Sequence, residues 1–177
     1  MIIRHSRSVI QNFVSAHHLG SLHSLVEGVW NHISYDDPLS LNLVLITPGH
    51  VHWDLVNEDN ISIYDKGKES FVGEMRPLDA ASYFHIPVHQ QLDTHKCVFH
   101  IHTQPITTVA TRTDFVFEPR LTQHSCCFMD SCGYFNEYNS KQIVGILSCF
   151  VDIIVSEDMT QLIPKCSDYQ VTRAVYM

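Results

Sequence analysis

The residues that could do chemistry stand in Cys97-Val98-Phe99-His100-Ile101-His102-Thr103. Val98, Phe99 and Ile101 favour a strand. Side chains alternate faces along a strand, so His100 and His102 point the same way, one step apart. Two imidazoles on one face can share a metal ion. Zinc takes neutral histidine nitrogen, and a catalytic zinc uses three protein ligands plus an open position. The bland reading is two ordinary histidines on an alternating strand. The chain carries 13 histidines in 177 residues, so a chance His-x-His is not rare.

The remaining elements must position that strand. A chain of 177 residues predicts one domain over residues 1–177 with a true hydrophobic core. Composition is that of a globular protein, 45% hydrophobic and 17% charged. A net charge of −8 argues against nucleic acid or an anionic membrane as partner, since both call for a basic face. No apolar run approaches the roughly 20 residues of a membrane span. Met1-Ile2-Ile3-Arg4-His5 lacks a signal peptide's apolar centre. The expected location is therefore cytoplasmic, with the six cysteines reduced and mostly acting as small buried hydrophobes.

In chain order, Ser6 to His18 carries Val9, Ile10, Phe13 and Val14 at helical spacing, with Ser6 as N-cap and Gly20 as stop. Ser21 to Glu27 reads as a second short helix. Strands are expected over Val29–Tyr35, Leu41–Thr47 and Ile61–Tyr64, an antiparallel meander. Gly67 to Pro77 reads as a polar connection. Leu78 to Leu92 reads as a helix that Pro87 should kink or split. After the histidine strand, a helix is expected from Thr103 to about Thr111, a short strand at Phe115–Phe117 and a helix over Leu121–Phe128. Gly133–Phe135, Ile143–Leu147 and Val151–Val155 read as extended, Ser156 to Ile163 as helical, and Val171–Val175 as a last strand.

Four blocks, in order, resemble the class II aldolase/adducin head family, on its adducin-like branch. Gly28-Val29-Trp30-Asn31-His32-Ile33-Ser34 resembles a loop and strand ending in a His-Ile-Ser signature. Leu45-Ile46-Thr47-Pro48-Gly49 resembles a strand end. Asp79-Ala80-Ala81 to His85, then His100-Ile101-His102-Thr103, resembles the helix and strand that bear His-x-His. Leu121-Thr122-Gln123-His124 through Tyr138 resembles a later block. The resemblance implies a three-layer α/β fold, with a central, mainly antiparallel sheet and helices on both faces.

In aldolases of this family the two strand histidines bind zinc, a third histidine completes the site, and a glutamate on the preceding helix serves as acid/base. Carried over, the ligand positions are His100 and His102, the glutamate position is Ala81, and the third-ligand position is Phe150. Alanine moves no proton and phenylalanine binds no zinc. His85 and His124 are the stand-in candidates for a third ligand, followed by the thiols of Cys126 and Cys127. The implied reading is a non-catalytic binding or assembly module, with a homo-oligomer or a protein as partner and weak zinc at most. The alternative is a zinc-dependent carbonyl lyase, epimerase or dehydratase acting on a small sugar or ketose phosphate.

Overall fold

The computed structural model describes residues 7–37, 40, 42–91, 96–105, 108, 118–129, 132–135, 152–156 and 170–174. Helix α1 spans Arg7–Leu22 and buries Phe13, Ala16, His17 and Gly20, positions three or four apart that form one stripe. Strands β1 (His32–Asp36), β2 (Leu43–Ile46), β3 (Ser62–Asp65) and β4 (Ser70–Val72) follow. Helix α2 (Asp79–Gln91) precedes β5 (Cys97–Ile101); β6 (Cys132–Phe135), β7 (Asp152–Ser156) and β8 (Gln170–Ala174) complete the sheet. Its order is β4-β3-β2-β1-β5-β7-β8-β6. Every neighbouring pair is antiparallel except the parallel pair of β6 and β8.

The sheet separates two unlike layers. On one face α1 packs Phe13 and Ala16 against Ile33, Tyr35, Leu45, Cys97, Phe99 and Ile101, together with Trp53. On the other, Ala81 of α2 packs against Val44, Ile46 and Tyr64. The strand period of two decides this sorting: Ile33 and Tyr35 go to α1, His32 and Ser34 to α2. The expected mainly antiparallel sheet with helices on both faces is what the chain forms.

Local expectations fare unevenly. Gly20 does not end α1, which runs on to Leu22, and no separate helix covers Ser21 to Glu27. A Cβ at Gly20 would sit 2.3 Å from the Trp53 ring, so this glycine serves close packing rather than a helix stop. α2 runs through Pro87 as one helix instead of splitting there. Its N-terminus is tied to the end of β2, since Gly49 N–H donates to Arg76 O at 2.8 Å. The connection after Gly67 holds a short strand, β4, paired with β3. Two 3-10 turns, Pro119–Leu121 and Ser125–Phe128, replace the helix expected over Leu121–Phe128. Strands β6, β7 and β8 lie where extended structure was expected. The Ser6 cap, the Phe115–Phe117 and Ile143–Leu147 strands and the Ser156–Ile163 helix fall on residues outside the described ones, wholly or nearly so.

At the α2 face, Asp36 gathers two cations: Lys66 Nζ at 2.7 Å and Lys96 Nζ at 3.1 Å from its Oδ2. Burial pushes this carboxyl's pKa up, but hydrogen bonds and charge from the lysines outweigh it and hold it below its ordinary value.

Candidate functional site

The β1–β5 register sets His32 opposite His100 and Ser34 opposite Val98. His32, Ser34 and His100 therefore share the sheet face that looks at α2. From α2, His85 and His89 stand four residues apart, on the same side of the helix. All five side chains are buried. His102, just past the end of β5, continues the same row toward the surface.

These groups touch in sequence. Ser34 Oγ lies 2.6 Å from His89 Nε2 and 2.6 Å from His85 Nδ1. His85 Nε2 lies 2.6 Å from His32 Nδ1. His32 Nε2 lies 3.0 Å from His100 Nδ1. His100 Nε2 lies 2.9 Å from His102 Nε2, and His102 Nδ1 lies 2.9 Å from Glu27 Oε2. Glu27 is placed by its own N–H, which donates to Asn31 Oδ1, while His102 N–H donates to Leu25 O at 3.3 Å.

The interior of this row resists charge. Burial, reinforced by neighbouring imidazoles, lowers His85 and His100 well below the ordinary histidine range. Burial first, then the field of His102, brings His32 down to about 3.

The predicted pair does share a face, with both Nε2 atoms turned toward each other. Such a pair can offer a metal two donors. A third is harder to find. His32 meets His100 through Nδ1, on the far side of the ring from His102. His85 lies beyond His32, with both ring nitrogens engaged. His124 is exposed, at the start of the Ser125–Phe128 turn, and Cys126 is an exposed free thiol. Among the described residues no group of three His, Cys, Asp or Glu side chains is placed to hold a metal ion. The described residues alone do not supply the three protein ligands of a catalytic zinc centre. Phe150 lies outside the described residues. Ala81 is fully buried against Val44 and Ile46, so the helix position of the expected acid/base group faces an apolar cluster.

Sequence reasoning singled out His100, His102, His85 and His124, and missed the linking role of His32, Ser34 and His89. The Ser34–His85 and Ser34–His89 contacts join residues more than 50 positions apart, so no local spacing announces them. One signal was present: His85 and His89 are an i, i+4 pair on the helix just before the histidine strand.

The profile described as the Class II Aldolase and Adducin N-terminal domain matches residues 11–157. The chain belongs to that family. Among solved structures, an aldolase II superfamily protein from Pseudomonas syringae is similar at 20% identity with a TM-score of 0.65; the match covers 75% of this chain and 53% of that one. An L-fuculose 1-phosphate aldolase is 24% identical with a TM-score of 0.55, covering 63% of this chain and 51% of the other. The L-fuculose 1-phosphate aldolase from Glaciozyma antarctica PI12 gives a TM-score of 0.69 at 15% identity, covering 86% and 66%. The chain thus spans about half the length of the first two. No curated protein matches it. At these identities the likeness establishes the class II aldolase fold. No described helix is long and apolar enough to cross a membrane.

Proposed function

We propose that this chain is a non-catalytic class II aldolase domain of the adducin-like branch, working in the cytoplasm as a binding or assembly module for a second copy or a protein partner. The observation that carries the reading is Ala81, fully buried in an apolar cluster at the helix position where the family resemblance expects the acid/base glutamate. General acid/base catalysis contributes about 10²–10⁴-fold, and an alanine methyl has no proton to move. His85, one turn on, has both ring nitrogens occupied by Ser34 and His32. The net charge of −8 fits a protein partner better than nucleic acid.

One observation favours a second reading, a zinc-dependent lyase, epimerase or dehydratase acting on a small sugar or ketose phosphate. His100 Nε2 and His102 Nε2 face each other at 2.9 Å, as two ligands of one ion could. The test is a retro-aldol assay on small phosphorylated ketoses with zinc supplied, run on the wild type, His100→Ala and His102→Ala. No turnover is expected from any of them. Turnover in the wild type that either substitution abolishes would establish the second reading instead.

A further inference from the structure

We propose that the outer face around the buried Trp53 ring, which carries Leu22, Trp30 and Leu55, docks a basic amphipathic segment of a partner protein. The proposal rests on the reading of this domain as a binding module, and adds the face and the chemistry of what it binds. Trp53 is fully buried, whereas Leu22, Trp30 and Leu55 are 76%, 60% and 66% exposed. The segments that bear them meet on that one ring. Gly20, two residues before Leu22, lies so close that a Cβ there would clash with the ring. Asn31, next to Trp30, accepts the Trp53 Nε1 proton on its carbonyl at 2.9 Å. Leu55 ends the 3-10 turn Trp53–Leu55. Leu19, one turn before Leu22 on α1, is exposed too.

Single exposed apolar side chains are ordinary; a group of them on one face marks an interaction surface. A second observation agrees. α1 carries no Lys, Arg, Asp or Glu after Arg7, although the outer side of a surface helix is usually charged. Its exposed side shows Gln11, Asn12, Ser15, Leu19 and Leu22 instead. Interface centres are depleted in charge in the same way, and a tryptophan is a frequent anchor there. Leu55 is also held ready. Its carbonyl accepts from Asn57 Nδ2 at 3.2 Å and Asn60 Nδ2 at 2.9 Å, so little ordering is left to do on binding.

Charge chooses the partner. Every formal charge between Arg7 and Lys66 is negative, with histidine neutral. Of these, Glu27, Asp54, Glu58 and Asp59 are exposed. Asp54 adjoins Leu55, Glu27 O accepts from Trp30 N–H, and Glu58 is held against α1 by Gln11 Nε2. An acidic rim round an apolar centre fits a segment with apolar residues on one side and lysine or arginine flanking them. A second copy docking by this same face would set carboxylates against carboxylates in any register. An anionic membrane would meet the same repulsion.

The probe is a helical peptide of leucine and lysine, about 18 residues or five turns long, titrated into the full chain. The chain has two tryptophans, and Trp53 is already out of water. Saturating binding, one peptide per chain, should therefore shift the Trp30 emission to shorter wavelength, and Trp30→Phe should abolish the shift. Leu22→Ser with Leu55→Ser should weaken binding about tenfold or more. Asp54→Lys with Glu58→Lys should weaken it through charge alone, and rising salt should do the same in the wild type. Leu121→Ser, at an exposed leucine elsewhere, should change nothing. No saturable binding, equal binding of the peptide with glutamate in place of lysine, or equal binding by the Leu22/Leu55 variant would overturn the proposal. So would sedimentation showing a dimer that this variant dissociates, or attachment to phosphatidylcholine vesicles that it abolishes, since the face would then belong to a second copy or to lipid. None of these readouts depends on turnover, so failure here leaves the non-catalytic reading to the retro-aldol assay.

Discussion

Ser34 Oγ lies 2.6 Å from His85 Nδ1, and this contact ties α2 to the middle of the sheet. The same hydroxyl reaches His89 Nε2, so one serine of β1 holds two turns of the helix. The layer beneath α2 thus carries these polar contacts beside the apolar cluster of Ala81, Val44 and Ile46, whereas the layer beneath α1 centres on Phe13, Trp53 and Phe99.

Replacing Ser34 by Ala should be costly for its size. It removes one methyl-sized polar group but takes a partner from two buried imidazoles. A buried polar group left unsatisfied costs about 1–3 kcal/mol. Urea unfolding of Ser34→Ala should show a loss in that range, with the slope unchanged. A loss near zero would mean the two histidines do not depend on Ser34.

Restoring a glutamate at position 81 should harm stability. Ala81 packs against Val44, Ile46 and Tyr64, with no described cation among them. A carboxylate there loses its hydration without a partner, at about 3 kcal/mol or more. Its pKa should rise above the unfolded value, so the penalty should shrink as pH falls through the carboxylate range. Thermal unfolding of Ala81→Glu at pH 7 and pH 4, each against wild type, measures both effects. A stable variant at pH 7 would show that the helix position can turn toward a polar site.

On the α1 side, His17 should make stability depend on pH. It is fully buried, 2.8 Å from Thr47 Oγ1 and 2.8 Å from Phe13 O. Burial above all, partly offset by the Phe13 carbonyl, lowers its pKa from 6.5 to about 4. The unfolded chain therefore binds the proton more readily than the folded one. Its contribution is complete above pH 6.5 and falls away as pH drops toward 4, by about 3 kcal/mol over that window. Urea unfolding between pH 4 and 8 should show this slope, and His17→Gln should flatten it. An unchanged slope in the variant would assign the acid sensitivity to other groups.

Much of the fold was legible from periodicity. Ile33 and Tyr35 alternate with His32 and Ser34, and that pattern alone divides β1 between two layers. The shared face of His100 and His102 followed from the same rule. The end of α1 was not legible, because Gly20 has the form of a helix stop and only Trp53, 33 residues later, explains why the helix continues past it. Nor was the joining of His32 to His85 legible, since a register between β1 and β5 and the docking of α2 are both needed to create it. Long-range pairing of this kind leaves no trace in local spacing.

The most direct test is a calorimetric zinc titration of the metal-free protein, with His100→Ala and His102→Ala beside it. Two facing imidazoles with no third donor among the described residues, both already hydrogen-bonded, should give weak zinc binding or none, with little difference among the three proteins. Tight binding of one zinc per chain, lost in either variant, would contradict the account.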